Sequence, residues 1–245
     1  MDDRLDAAWS RLPDYLSQHV LLSASALLLG LMISIPIAIA AHRNAAVRWP
    51  ALTLASAIQT IPSLALLALF YPLLLALSAA ASAFGLQFSA LGFLPSLLAL
   101  TLYSMLPIIR NAVAGLQGVD ADVREAARGV GMTSGQMLAQ VELPLAAPVI
   151  MAGIRTAAVW TIGTATLSTP VGQTSLGNYI FTGLQTENWV FVLFGCGAAA
   201  ALALIVDQLL GLIESGVKRR SRRRVAVGTA ALAAGVLAAI APSLL

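Results

Sequence analysis

The 245-residue chain is 59% hydrophobic and only 10% charged, with a mean hydropathy of +0.87, whereas an ordinary soluble domain carries about 25% charged residues. That excludes a water-soluble globule and makes lipid part of the solvent. The net charge of +3 does not point to nucleic acid, because much of the surplus is one block, Lys218, Arg219, Arg220, Arg222, Arg223 and Arg224, between two apolar runs, where a cytoplasmic loop would hold it.

The apolar runs are long and lack the period-2 alternation of a membrane barrel. Helices then satisfy the backbone in lipid, which predicts an all-α integral membrane protein of about six spans. Residues 1–19 read as an extracytoplasmic tail. They are acidic and mixed, without the basic start and short apolar core of a removable signal. The first span follows over about Val20 to Ala41, with Pro36 inside it, and a short loop carries His42, Arg43 and Arg48. The stretch from Ala51 to Ala83 would reach about 50 Å as one helix. That is too long for one straight span and too short for two with a turn. Pro62, Pro72 and Gly85 predict one bent helix followed by an irregular outer segment. A third span covers about Leu91 to Ile109, and a polar segment runs from Gly115 to Glu142. Spans over about Leu145–Leu167 and Val190–Leu212 flank a polar Gly/Thr-rich loop, Ser168–Asn188. After the basic loop 218–224, a last Ala-rich helix lies within 225–245.

Charge placement sets the orientation. With the amino terminus outside, the inner loops hold Arg43 and Arg48, then Arg110, Arg124 and Arg128, then the basic block. The outer segments hold only Arg4 and Arg11 among basic residues, against Asp2, Asp3, Asp6, Asp14 and Glu187. This is the positive-inside asymmetry. Splitting Ala51–Ala83 into two spans would invert everything after it and put the basic block outside. Trp9, Trp49 and Trp189 fall near the expected interfaces, where indole rings anchor helices. The single cysteine, Cys196 between Gly195 and Gly197, excludes an internal disulfide and reads as close helix packing.

Within the polar segment, Asp120–Pro144 reads DADVREAARGVGMTSGQMLAQVELP. Asp120 is placed to cap a short helix reaching about Val130, with Asp122 in its first turn and Arg124 four residues on from Asp120 as an ion-pair partner. Gly131 suits the left-handed position past a helix end. Thr133 with Gln136 predicts a capping box for a second helix. Pro144 is expected to open the next span, where its missing N–H costs nothing.

Residues Glu125, Ala126, Ala127, Gly131, Val141, Leu143 and Pro144 have the spacing of the EAA loop, so the chain resembles the permeases of binding-protein-dependent ABC importers. The one departure is Val141, where isoleucine is commonest. The resemblance implies a type I ABC importer permease domain over 20–217, with the loop 115–144 docking into a cleft on a separate ATPase. Ala126 and Ala127 would permit close approach, and Glu125 would serve as polar contact or brace. It further implies two ATP-binding subunits, a second permease, identical or paralogous, and an extracytoplasmic solute-binding protein. ATP and magnesium would sit on the ATPase, leaving this chain without a cofactor.

A narrower resemblance lies in IQTIPSLALL (Ile58–Leu67), ALTLYSMLPIIRNAVAGLQGVD (Ala99–Asp120), APVIMAGIRTAAVWTIGTATLSTPVG (Ala147–Gly172) and SLGNYIFTGL (Ser175–Leu184). These are similar to permeases of osmoprotectant importers, which handle glycine betaine, carnitine and choline. The segment Thr169–Ser175 is more polar than usual there, and the basic block with its sixth span is an addition. Another small polar solute, an amino acid or thiol-betaine, is the alternative.

Gln59, Thr60 and Ser63 flank Pro62, and Thr161, Thr164, Thr166 and Ser168 form a hydroxyl-rich stripe. Two readings fit these residues: a translocation path, or hydrogen bonds between helices. Arg155, well inside its span, is either functional or snorkels to the headgroups. Asp207 and Gln208 read as structural contacts. An enzyme is disfavoured. His19 and His42 sit near opposite ends of the first span and cannot pair on a metal, and neither suits a serine nucleophile. The only lysine, Lys218 in GVKRR, belongs to no P-loop. A membrane scaffold is disfavoured by the spaced loop pattern.

Overall fold

Hydrocarbon offers the backbone no hydrogen-bond partners, and this chain meets that demand with helix over most of its length. A computed structural model describes residues 2–82, 85 and 88–241, with ten α-helices and no strand among them. Among the described residues, six helical stretches are long and apolar enough to cross a membrane: Asp3–Arg43, Ser63–Ser82, Phe93–Gln117, Ser134–Val171, Trp189–Lys218 and Arg222–Ile240.

Helix α1 (Asp2–Arg43) has 42 residues and a length of about 63 Å, twice the hydrocarbon thickness. The segment read as a tail is therefore helical from Asp2 onward. Its projecting half is held by packing. Ala8, Leu12, Tyr15 and Leu16 meet Tyr179, Phe191 and Phe194, and the Tyr179 hydroxyl donates to the Ala8 carbonyl at 2.5 Å. His19 is fully buried and joins three elements. Leu176 N–H points at its Nδ1 (3.4 Å) while its Nε2 lies 3.1 Å from the Ile162 carbonyl. An acceptor at Nδ1 leaves Nε2 as the donor, so the ring is neutral.

The expected bent helix is two helices, α2 (Ala45–Thr60) and α3 (Ser63–Ser82), of which α3 is the one long enough to span. The break lies at Ile61–Pro62. Proline disfavours helical geometry in the residue before it, and Ile61 is extended at φ −74°, ψ 127°.

Helix α4 (Phe93–Gln117) forms the centre of the fold, packed most extensively on α1 and α7 (Leu143–Ala165). It continues eight residues past Ile109, the expected end. Its approach to α7 depends on Gly153, where a Cβ would lie 2.6 Å from Asn111 Cβ and 2.7 Å from the Pro107 carbonyl oxygen. Asn111 Nδ2 donates to that carbonyl at 2.8 Å.

Beyond α7 the Ser168–Asn188 segment is more ordered than a loop. A 3₁₀ turn (Thr166–Val171) leads to α8 (Gly177–Gln185). The unusually polar Thr169–Ser175 stretch closes on itself: Thr169 and Ser175 hydroxyls lie 3.1 Å apart, and the Ser175 Oγ accepts from Gly177 N–H. Helix α9 (Trp189–Lys218) packs on α7 and α8, and α10 (Arg222–Ile240) lies on α9 and the flank of α1, with Gly228 as its one buried residue among those described.

Candidate functional site

Two regions gather the residues singled out by sequence. The first is the helical hairpin at the basic side of the membrane. Helix α5 (Ala121–Gly129) starts where Asp120 Oδ1 accepts from Asp122 N–H at 2.9 Å. It ends in a reversal in which Met132 N–H donates to Ala127 O at 3.1 Å. Gly131 makes that reversal with φ +82°, a conformation that penalises any Cβ. Helix α6 (Ser134–Met137) opens with the expected capping box: Thr133 Oγ1 accepts from Gln136 N–H, and Gln136 Oε1 accepts from Thr133 N–H at 2.8 Å. The expected Asp120–Arg124 ion pair is not formed among the described residues; Arg124 offers its backbone N–H to the Asp120 carbonyl.

Pro144 sits in the first turn of α7, as expected, but no break precedes it. A π-helical turn, Leu138–Glu142, joins α6 to α7 as one continuous rod, with Leu143 N–H donating five residues back to Leu138 O. A proline ring crowds the carbonyl four residues before it, and the wider turn just ahead of Pro144 gives that carbonyl room. Leu138 and Leu143 anchor the rod against the cluster around Ala38, Ala41 and Ile109. Val141 is half-buried and Pro144 exposed.

The end of α1 clasps this rod at two points. His42 Nε2 lies 3.4 Å from an oxygen of the buried Glu142, and the Arg43 guanidinium donates to Ser134 O at 3.2 Å. Sequence reading placed neither contact. Around the turn the surface is open: Glu125 and Ala126 are exposed, Ala127 is buried, and a Cβ on Gly131 would meet nothing within 4 Å. Val130 is 76% exposed and Val123 40%. These valines leave apolar surface uncovered at the turn.

The second region is an open cavity of about 610 Å³ beside the α2–α3 break, between that break, α4 and α7. Gln59, Thr60, Pro62 and Ser63, at the α2–α3 break, and Thr164 of α7 line it, joined by Tyr103, Trp160 and Gly163. The break is stitched to α4: the Tyr103 hydroxyl donates to the Ile61 carbonyl, and Gln59 Nε2 donates to Tyr103 O at 3.1 Å. Three residues of the sequence reading are absent from the lining, among them Ser168, which is fully buried. Thr161 is buried in helix packing, and Thr166 donates to Gly163 O at 2.7 Å. On α7 the lining is Val159, Trp160, Gly163 and Thr164, with Leu167 following in the 3₁₀ turn; Trp160, Gly163 and Thr164 have the i, i+3, i+4 spacing of one helical face. That periodicity would have found Trp160, the one tryptophan far from an expected interface.

Arg155 neither snorkels nor lines the cavity. It pairs with Asp207 through two hydrogen bonds, the longer at 2.6 Å, and lies 3.4 Å from Glu214. Asp207 and Glu214 are seven residues apart, on one face of α9, so the network ties α7 to α9.

Comparison with known proteins agrees with this architecture. A family model described as "Binding-protein-dependent transport system inner membrane component" matches residues 27–219. The chain is 38% identical over 197 residues to the choline transport system permease protein OpuBB of Bacillus subtilis, covering 80% of this chain and 84% of the relative. It is 36% identical over 200 residues to the glycine betaine/carnitine/choline permease protein OpuCB of the same organism (82% and 85% covered). It is 37% identical over 197 residues to the osmoprotectant import permease protein OsmW of Salmonella typhimurium (80% and 87%). Among solved structures, a chain of the inward-facing MetNI methionine ABC transporter superposes with a TM-score of 0.70 at 18% identity, covering 91% of this chain and all of that one. A chain of an amino acid ABC transporter with histidines gives 0.65 at 20%, covering 90% and 99%.

Proposed function

Because this chain belongs to the family of binding-protein-dependent transport system inner membrane components, a multi-pass inner-membrane permease, we propose that it forms half of the pathway of an ATP-driven importer of quaternary-amine osmoprotectants. Relatives at 36–38% identity named for choline, carnitine and glycine betaine transport support the substrate class. The observation that carries the mechanism is the hairpin at Gly131, capped at both helices and presenting Val123, Ala126 and Val130 outward.

In this reading the basic side faces the cytoplasm. Each of two ATP-binding subunits, holding ATP and magnesium, receives one hairpin in a cleft. Glu125 and Ala126 lie at the contact, while Ala127, Val141, Leu143 and Pro144 shape and seat the hairpin. When the ATPases close, each hairpin moves as a unit, because the rod from Ser134 to Ala165 is continuous through the π turn. The rod carries the lower half of α7, the Arg155 network carries α9 with it, and the His42–Glu142 contact carries the end of α1. Two copies, or this chain and a paralogue, enclose the pathway, and a solute-binding protein delivers cargo at the acidic side.

Uptake of labelled choline and glycine betaine by cells with and without this gene tests the reading. Loss of uptake in the deletion, restored by the gene, is expected. Unchanged quaternary-amine uptake together with lost uptake of an amino acid would replace the substrate class.

A further inference from the structure

The cavity at the α2–α3 break has a chemistry of its own. It contains no carboxylate, lysine, arginine or histidine. Two aromatic residues from different helices line it, Tyr103 of α4 and Trp160 of α7, and Trp160 is 53% exposed despite lying well within its helix. Gly163, one turn from Trp160, leaves the space beside the indole open: a Cβ there would meet nothing within 4 Å. Several polar groups at the wall are already engaged. The Thr60 hydroxyl donates to Ala57 O, the Thr164 hydroxyl to Trp160 O, and Tyr103 to Ile61 O, so these oxygens face a ligand with acceptor lone pairs.

A primary amine needs three hydrogen-bond acceptors and gains most from a carboxylate, which this wall lacks. A phosphate or sulfate needs clustered donors or cations, also lacking. A quaternary ammonium has neither need. Its methyl groups donate no conventional hydrogen bond, its charge is diffuse, and an aromatic face is its ordinary partner. The Gln59 amide retains a second N–H beyond the one given to Tyr103, a donor for the carboxylate of a zwitterion.

Resting on the importer reading above, we propose that Trp160, Tyr103 and Gln59 form a low-affinity transit site for quaternary ammonium compounds inside the membrane. It is distinct from the capture site of a solute-binding protein. Having no fixed counter-charge, it lets the cation leave toward the cytoplasm. Trp160 supplies the main contact, and Gly163 keeps the space for the trimethylammonium group.

The test uses the purified complete transporter in lipid nanodiscs and in proteoliposomes with binding protein. Tetramethylammonium chloride is the ligand probe, because it carries the cation alone. Titration is expected to change the tryptophan emission of the wild-type complex at millimolar concentration, with the change lost in Trp160→Phe. In proteoliposomes, Trp160→Leu is expected to lower choline translocated per ATP hydrolysed about tenfold, the scale of a desolvated cation–aromatic contact. Trp160→Phe keeps most of that transport, and Gly163→Leu, whose Cβ meets nothing within 4 Å in the chain, loses it. ATP hydrolysis stimulated by loaded binding protein persists in all three. If Trp160→Leu disturbs assembly, Gly163→Leu and the titration decide.

An emission change that survives Trp160→Phe, or choline moved per ATP that is unchanged in both Trp160→Leu and Gly163→Leu, overturns the site. So does the absence of any response in the assembled complex, as when a second copy's side chains fill the cavity. Failure of the wild type to move any quaternary amine overturns the importer reading instead, and the titration still reports on the site.

Discussion

The hairpin at Gly131 and the cavity at Trp160 are built in opposite ways. The hairpin is local. Its caps, turn and exposed valines all lie within residues 120–144, and its contacts with the rest of the chain are few: Leu138 and Leu143 in the core, Glu142 with His42, and Ser134 with Arg43. The cavity is non-local, with walls from residues 59–63, 103 and 159–167 brought together by helix packing. A device that must fit a separate protein benefits from rigid local geometry. A space that must pass a solute benefits from walls on helices that can shift against one another. The hairpin should therefore fail sharply, by single substitutions that leave the fold intact, and the cavity should fail by degrees.

The largest effect is expected from Gly131→Asp. Its Cβ is strained by about 1 kcal/mol at positive φ, and its carboxylate would be buried against the ATPase at a further cost of several kcal/mol if unpaired. Nothing in the chain opposes the side chain, so permease levels in membranes should stay near wild type while uptake is abolished. A matching fall in membrane level would show the turn to be needed for folding instead.

Arg155→Met comes next and breaks the fold rather than either site. It strands Asp207 and Glu214 within the membrane, where an unpaired acid costs about 2.5–3.5 kcal/mol on insertion scales. Membrane levels should drop several-fold, and adding Asp207→Asn should restore part of the loss. No recovery in the double variant would remove the ion pair as the reason.

The sequence made the hairpin legible because capping and turn chemistry act over three or four residues. Asp120, Gly131, Thr133 and Gln136 behave as their spacing predicts. The π turn was not legible, because Pro144 reads equally well as a helix start and as a disturbance inside one. The cavity was half legible. Polarity gathered Gln59, Thr60, Pro62, Ser63 and Thr164, which line the cavity, together with Thr161, Thr166 and Ser168, which do not. It passed over Trp160 and Tyr103, whose role depends on which faces of α4 and α7 meet. The pairing of Arg155 with Asp207 needed the same knowledge, and the continuation of α1 through residues 2–19 rests on Tyr179 and Phe191, over 150 residues away.

Smaller effects sharpen the contrast. Glu125→Ala removes an exposed contact without adding a clash, so uptake and ATPase retention should fall only partly, by about two- to fivefold for a single polar contact at an interface. Wild-type retention would move the polar contact elsewhere on α5. Thr166→Val should change uptake by less than about twofold, within the range of an uncritical substitution, because its hydroxyl serves its own helix outside the cavity. A larger loss of uptake at a normal membrane level would extend the path beyond the cavity described.

The central claim is that the hairpin enters a separate ATPase. Val130→Cys, in a background with Cys196→Ser, puts a single thiol at the most exposed apolar position of the hairpin. Treated with a short thiol-to-amine cross-linker in membranes containing the whole transporter, it should form a covalent product with the ATP-binding subunit, while a thiol at Leu204, exposed in the middle of the apolar helix α9, should form none. Absence of that product from a transporter that still imports its solute, or equal products from both positions, would contradict the account.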